Sequence, residues 1–204
     1  MNTILLSKNL GIIKEYLFPK NKVGFIPTAG EVYANPLFVI EDRIRLINMG
    51  YDVIDIDITN IDKNTISSKL KNIDALFVSG GNVFYLMQQI RKKNVEKEIS
   101  NFINSEKLYI GASAGGCICS PVIEPYKLLD NMEEAKELSN LNGLNIINFV
   151  ILPHYGKEKY MHLYDEILEQ YKDQYKLVFL RDDEALVLKS NKEYDIVSSV
   201  DIII

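Results

Sequence analysis

The chain has 204 residues, of which 47% are hydrophobic and 25% charged, and its formal net charge is −5 at pH 7. This length allows one large domain with a proper core, and the acidic balance without a basic cluster argues against nucleic-acid binding. No run of about 18 apolar residues could span a membrane, and the apolar N-terminus lacks the basic region and cleavage site of a signal peptide, so we expect a cytoplasmic protein.

Apolar runs and amphipathic segments alternate along most of the chain, which predicts alternating strands and helices. The predicted strands are Ile4–Leu6, Val23–Ile26, Val53–Ile58, Ala75–Val78, Leu108–Ile110, Phe149–Leu152, Leu177–Leu180, Ala185–Leu188 and Asp195–Val200. The predicted helices are Pro36–Met49, Ile66–Leu70, Val83–Arg91, Val95–Asn104 and Lys157–Tyr171. This order predicts an α/β fold with a mostly parallel sheet covered on both faces. The late strands lack intervening helices, so we expect them to turn antiparallel.

A glycine-containing turn is predicted at Gly80–Asn82, between an apolar strand and a helix. Asn82 is placed to cap that helix, and backbone N–H groups at such a turn can face an anion. The turn therefore has two compatible interpretations, as a tight connection and as part of an anion-binding site.

The most informative motif is Gly111–Gly115, which reads Gly-Ala-Ser-Ala-Gly and follows an apolar strand. This is the pattern of a nucleophile elbow, in which a sharp strand-to-helix turn exposes a serine above the sheet edge. Glycines on either side allow the backbone to cross itself closely. The alternative is a small-residue turn that only packs a helix on a strand. The strand–turn–helix order favours Ser113 as a nucleophile.

The residues after this motif include two cysteines. Cys117 and Cys119 are too close together to staple the fold, and no Cys/His set completes a zinc site. We expect both to be small buried helix residues in a reducing compartment. The following segment, Cys119–Leu144, is rich in Pro, Asp, Asn and Glu and predicts an irregular excursion beside the site.

The chain has two histidines that could act as a base, His154 and His162. His154 follows an apolar strand that ends at Pro153, and the carboxyl ends of strands are where functional groups gather in open α/β sheets. His162 lies inside the predicted helix Lys157–Tyr171, where a solvated position is the simpler interpretation. We therefore predict His154 as the partner of Ser113.

Three linked segments resemble the peptidase E family, the dipeptidase E and cyanophycinase-like serine peptidases. They are Phe77–Asn82, Gly111–Gly115 and Leu152–Tyr155, and the resemblance spans from about Lys22 to Val187. It implies a single domain over residues 1–204, with a three-layer α/β/α fold similar to class I glutamine amidotransferases. It also implies small peptide substrates, no metal and no cofactor.

The same resemblance implies the roles of individual residues. Ser113 is the implied nucleophile and His154 the general base, and the N–H groups of Gly81 and Ala114 form the oxyanion hole. Asn82, Tyr155 and Lys157 are candidate substrate contacts. We expect a monomer or a homodimer.

The acid that completes the triad has two candidates. Asp130 lies in the excursion after the serine, and Asp182 follows the predicted strand Leu177–Leu180. Rigid strand ends position a side chain more precisely than an excursion loop, which favours Asp182 as the group that orients His154. Asp130 then holds the loop or contacts substrate.

The segment after the histidine departs from the aspartyl-specific members of the family. Those members carry an arginine there, suited to bidentate binding of an acidic side chain. Tyr155–Met161 contains lysines and a glutamate but no arginine. Lys157, Lys159 or Arg181 could still bind a carboxylate, yet we predict a broader specificity.

The sequence also allows two functions other than a peptidase. One is an esterase or a cyanophycinase-like hydrolase, and the other is a catalytically silent small-molecule-binding homologue.

Overall fold

The computed structural model describes residues 2–189 and 193–202. The strands in these ranges are β1 (Asn2–Leu6), β2 (Lys22–Ile26), β3 (Asp52–Asp55), β4 (Ala75–Val78), β5 (Leu108–Ala112), β6 (Val150–Leu152), β7 (Leu177–Phe179), β8 (Glu184–Leu188) and β9 (Tyr194–Ser198). The α-helices are α1 (Leu37–Asn48), α2 (Lys63–Lys71), α3 (Val83–Lys92), α4 (Glu96–Ile103), α5 (Ala114–Cys117) and α6 (Glu158–Tyr171). Short 3-10 segments lie at Gly11–Glu15, Thr28–Gly30, Glu124–Leu128 and Met132–Ala135.

The main sheet has seven strands in the order β3-β2-β4-β5-β1-β8-β9. The first five of these run parallel, whereas β8 pairs antiparallel with β1 and β9 pairs antiparallel with β8. The predicted mostly parallel α/β fold with antiparallel late strands is therefore confirmed. Because β4 and β5 are parallel neighbours, the turns that follow them, at Gly80–Gly81 and at Ser113, lie at the same edge of the sheet.

The strand before His154 stands apart from the main sheet. β6 pairs parallel with β7, with Leu152 opposite Phe179, and the two form a separate sheet. Backbone bonds continue past the strand ends, where Tyr155 N–H donates to the Leu180 carbonyl at 2.9 Å. An apolar run indicates burial but not which strand it pairs with, so periodicity did not reveal this separation. The pairing places the two segments that follow β6 and β7 side by side.

The two faces of the main sheet bury different side chains of the same strands. On β1, Leu5 packs into one hydrophobic cluster while Ile4 and Leu6 pack into the other. This alternation follows from the two-residue period of a strand. The cluster that holds Leu5 is covered by α2, α3, α4 and α6, and the other cluster is covered by α1. The sheet with helices on both faces is the predicted three-layer α/β/α arrangement.

Element boundaries differ from prediction where a side chain stays buried after its backbone leaves the sheet. The strand predicted over Val53–Ile58 ends at Asp55, although Ile56 and Ile58 remain buried. Helix α2 is longer than predicted because Asp62 caps it, accepting bonds from the N–H groups of Asn64 and Thr65.

The helix after Ser113 is short. It ends at Cys117, so Cys119 lies in the turn that follows it rather than in the helix as predicted. Both thiols are buried, as expected.

The excursion predicted over Cys119–Leu144 is irregular apart from two 3-10 segments, Glu124–Leu128 and Met132–Ala135. Within the described ranges, no helix combines the length and the apolar character that crossing a membrane would require.

Candidate active site

Ser113 sits at a sharp turn between β5 and α5. Its backbone has φ 47° and ψ −110°, a region that residues with a side chain rarely adopt. Gly115 allows the close approach of this turn to β4, because a Cβ on Gly115 would lie 2.2 Å from the Val78 carbonyl oxygen. Backbone strain of this kind persists only where the surrounding structure imposes it, and it is concentrated at functional sites.

A chain of hydrogen bonds joins Ser113 to two side chains from the β6–β7 region. Ser113 Oγ lies 3.0 Å from His154 Nε2, and His154 Nδ1 lies 2.7 Å from Asp182 Oδ1. His154 has φ 65°, and this left-handed conformation turns the chain at the end of β6. A hydroxyl paired with an imidazole that is itself held by a carboxylate can pass its proton to the ring as the oxygen attacks an electrophile.

The carboxylate of Asp182 is held by further donors. Lys157 Nζ lies 2.8 Å from Asp182 Oδ2, and Ser7 Oγ donates to Asp182 Oδ1 at 3.3 Å. Burial raises the pKa of this carboxyl, but the hydrogen bonds from His154 and Lys157 outweigh burial and hold the pKa well below its usual range. Asp182 is therefore ionised at neutral pH and can stabilise a positive charge on His154.

Ser7 is the residue of this network that the sequence did not single out. It is fully buried at the end of β1, and its Oγ also accepts the backbone N–H of His154 at 2.7 Å. Ser7 thus fixes both the backbone of the histidine and the carboxylate beside the ring. The available signal was its position directly after an apolar strand, at the same sheet edge as the serine turn.

Asp130, the other predicted acid, lies elsewhere. Its Oδ2 accepts the backbone N–H of Val83 at 2.8 Å, at the first residue of α3, and it makes no hydrogen bond to His154. Burial raises its pKa to about 6. The structure thus brings Asp182, and not Asp130, to the histidine.

The turn after β4 borders the serine. A Cβ on Gly80 would lie 3.2 Å from Ser113 Cβ and 3.8 Å from its Oγ. Gly81 has φ 138°, which favours glycine. Among the described residues, neither Gly81 N–H nor Ala114 N–H donates to a protein acceptor. Two unpaired amides therefore flank the serine, one from each turn.

These residues line a cleft of about 390 Å³. Its walls include Ser113, His154, Gly81, Ala114 and Asp130. Aromatic side chains also contribute, namely those of Tyr33, Phe38, Tyr126, Tyr160 and Tyr164. The cleft wall is therefore partly apolar and partly polar.

The three predicted substrate contacts have different positions. Lys157 lines the cleft, where it is paired with Asp182.

Asn82 is buried outside the cleft lining. Its Oδ1 accepts the N–H of Tyr85 at 2.9 Å and its Nδ2 donates to the Asn131 carbonyl at 2.7 Å. Tyr155 packs against Tyr164 and Phe179 and is also outside the lining. The contacts of Asn82 and Tyr155 give no support to a substrate-binding role.

The remaining predicted groups lie away from the serine. His162 is an exposed residue of α6 and does not line the cleft. Arg181 is exposed and pairs with Asp183 and Glu184. Within the described ranges, no three His, Cys, Asp or Glu side chains are grouped closely enough to hold a metal ion.

Comparison with known proteins identifies the family of this chain. The sequence model of peptidase family S51 matches residues 8–196. An uncharacterized peptidase from Listeria innocua is 31% identical, over 85% of this chain and 87% of that protein. Peptidase E from a Nostoc species is 30% identical, over 74% of this chain and 64% of that protein.

Solved structures match over nearly the whole chain. A crystal structure of a Listeria monocytogenes protein provisionally named peptidase E superposes with a TM-score of 0.89 at 29% identity, covering 97% of this chain and 98% of the other. A peptidase from an acI-B1 actinobacterium shares the fold, with a TM-score of 0.72 at 19% identity, covering 97% of this chain and 87% of the other. The fold and these matches define a serine-type peptidase. The chain belongs to peptidase family S51.

Proposed function

We propose that this chain hydrolyses small peptides through an acyl-enzyme on Ser113. The observation that carries the proposal is the continuous hydrogen-bond chain from Ser113 Oγ through His154 to Asp182. It has the geometry of a nucleophile, its base and the group that orients the base. The strained backbone of Ser113, at a strand-to-helix turn, adds support because a nucleophile elbow has this conformation.

In the proposed reaction, Ser113 Oγ attacks the peptide carbonyl carbon while its proton moves to His154 Nε2. The negative charge on the carbonyl oxygen is stabilised by the N–H groups of Gly81 and Ala114. The protonated His154 then gives its proton to the leaving amine, and the C–N bond breaks. Water attacks the resulting ester with His154 as base, which releases the acid product and restores the serine.

In this scheme, protein groups stabilise each charge that develops during the reaction. Asp182 stabilises the imidazolium that forms, and Lys157 keeps Asp182 ionised instead of binding substrate directly. We accordingly propose activity without a metal or an organic cofactor. We also propose that residues 1–204 form one domain, because both hydrophobic clusters share the strands of one sheet. We propose further that this domain acts in the cytoplasm as a monomer or a homodimer.

We predict that the purified enzyme cleaves dipeptides with varied N-terminal residues. Of the three cations considered as carboxylate anchors, Lys157 is paired with Asp182 and Arg181 lies outside the cleft lining. Of the three, only Lys159 lines the cleft without pairing with Asp182. It is exposed, and its Nζ lies 4.4 Å from the Tyr160 ring centroid. The measurement is kcat/KM over a dipeptide panel, beside simple esters and cyanophycin polymer. Cleavage of Asp-Xaa peptides alone would contradict the broad specificity, and turnover of only esters or polymer would contradict the peptidase proposal.

We predict that Asp182→Asn lowers kcat by about 10³- to 10⁴-fold, because the amide keeps the shape but favours the wrong imidazole tautomer. Asp130→Asn should lower kcat far less, since Asp130 does not contact the histidine. Asp183→Asn is a matched control, because Asp183 is the exposed next residue and pairs only with Arg181 among charged side chains of the described ranges. The measurement is kcat for all three variants on one dipeptide. A larger loss for Asp130→Asn than for Asp182→Asn would exclude Asp182 as the orienting acid.

A further inference from the structure

Helix α1 carries apolar side chains on two faces. Its inner face packs on the sheet, where Val39 and Leu46 are buried in the hydrophobic cluster that α1 covers. Its outer face carries four exposed aliphatic residues, namely Leu37 at 55%, Ile40 at 49%, Ile44 at 36% and Ile47 at 44% exposure. A surface helix normally places polar residues away from the core, and a helix that is apolar all round is normally buried. The outer face of α1 therefore has the character of a face that is covered.

This second apolar face distinguishes α1 from the other long helices of the described ranges. The large hydrophobic side chains of α2, α3 and α4 are buried or half-buried, and α6 exposes one, Leu168 at 41%. A single exposed hydrophobic residue is common on protein surfaces, whereas a row of them marks an interaction site.

The four residues of the outer face have the spacing of helices that pack side by side. Their intervals are three, four and three residues, as at the a and d positions of packed helices, and the row is about 15 Å long. These intervals read the same from either end. In an antiparallel pair, Leu37 would therefore oppose Ile47 of a second copy, and Ile40 would oppose its Ile44. An interface with two-fold symmetry requires such self-complementarity, because each of its contacts occurs twice.

The charged side chains beside this row are already paired within the chain. Arg43 donates two hydrogen bonds to Asp55, at 2.8 and 2.9 Å. Glu41 pairs with Arg45 at 3.4 Å. A second copy could thus cover the outer face of α1 without burying an unpaired charge, which would oppose association.

The exposed apolar area of α1 matches what a stable dimer needs. At about 200 Å² for a fully exposed large hydrophobic residue, the four residues and the neighbouring Phe38, which is 40% exposed, present about 450 Å². A standard interface buries about 800 Å² on each partner, of which somewhat more than half is apolar. One helix therefore supplies the apolar part of such an interface.

We propose that the outer face of α1 binds the same face of a second copy, so that the protein is a homodimer with two-fold symmetry. The two helices run antiparallel, with Ile40 and Ile44 at the centre of the contact. None of the four outer-face residues lines the cleft. The dimer is therefore independent of the proposed peptidase reaction, and either proposal can fail without the other.

Sedimentation velocity of the full chain between about 1 and 100 µM tests the dimer. At the upper concentration, wild type should sediment with twice the chain mass of 23.3 kDa. Ile44→Glu should raise the dissociation constant by at least about 100-fold, because the charge enters the centre of the interface twice. Its fold should be retained, since Ile44 is exposed in the single chain, and circular dichroism and thermal unfolding check this.

Leu168→Glu is the matched control for this variant. It introduces the same charge at a similarly exposed aliphatic residue of α6, and it should leave the dissociation constant unchanged. Wild type that remains monomeric at 100 µM would overturn the dimer and leave the outer face of α1 to a different partner. An Ile44→Glu dimer as stable as the wild-type dimer would place the interface on another surface.

Hydrogen–deuterium exchange of wild type locates the interface without any variant. Spectra are compared at concentrations above and below the measured dissociation constant. Backbone amides of α1 should exchange more slowly in the dimer, and those of α6 should not change. Protection of another element in place of α1 would overturn the proposed interface.

Discussion

Replacing Ser113 by alanine is expected to lower kcat on dipeptides by about 10⁴- to 10⁶-fold, because members of a triad act as a unit and no other group supplies the nucleophile. The substitution removes a single oxygen, so the fold should be retained. Circular dichroism and thermal unfolding check the fold, and steady-state hydrolysis checks the rate.

Ser79→Ala provides the matched control for this experiment. Ser79 is buried just after β4, next to the Gly80–Gly81 turn, and its Oγ has no hydrogen-bond partner among the described residues. Its loss should leave kcat nearly unchanged. Near-normal turnover by Ser113→Ala would contradict the proposed nucleophile.

A serine-directed fluorophosphonate gives a second readout of the same prediction. It should add to wild-type enzyme on the peptide that contains Ser113, as detected by mass spectrometry. It should not add to Ser113→Ala. Modification of a different serine, with loss of activity, would place the nucleophile elsewhere.

Replacing His154 by alanine is expected to lower kcat about as much as replacing Ser113, since the hydroxyl is a poor nucleophile without a base. His154 is the histidine within hydrogen-bond distance of Ser113 Oγ, at 3.0 Å. His162→Ala is the internal control, because His162 is exposed on α6 and should tolerate the change. The measurement is kcat for both variants on one dipeptide.

The double variant sharpens this second prediction. Because the two residues act in one step, Ser113→Ala combined with His154→Ala should lose little more than either single variant. Additive losses would mean that the two residues act independently. A greater loss for His162→Ala than for His154→Ala would move the base away from the cleft.

The order of strands, turns and helices was available from the sequence because it depends on local patterns. Apolar runs and amphipathic segments gave the α/β class, and the glycine-flanked serine after a strand predicted the turn at Ser113. His154 could be chosen over His162 because one follows a strand end and the other lies within an amphipathic helix. Boundaries were less certain, as β3 shows, because Ile56 and Ile58 stay buried after the strand has ended.

Alone, the sequence determined the class of fold and predicted Ser113 and His154 as site residues, since these inferences depend on neighbours within a few positions. Only the tertiary structure decided which groups surround them. The contact of His154 with Asp182 spans 28 residues, and the contacts of Ser7 with His154 and Asp182 span 147 and 175. Such pairs meet because β1 ends at the sheet edge beside the ends of β6 and β7. No local pattern encodes this pairing, so the contact of His154 with Asp182 rather than Asp130, and the contacts of Ser7, follow from tertiary packing alone.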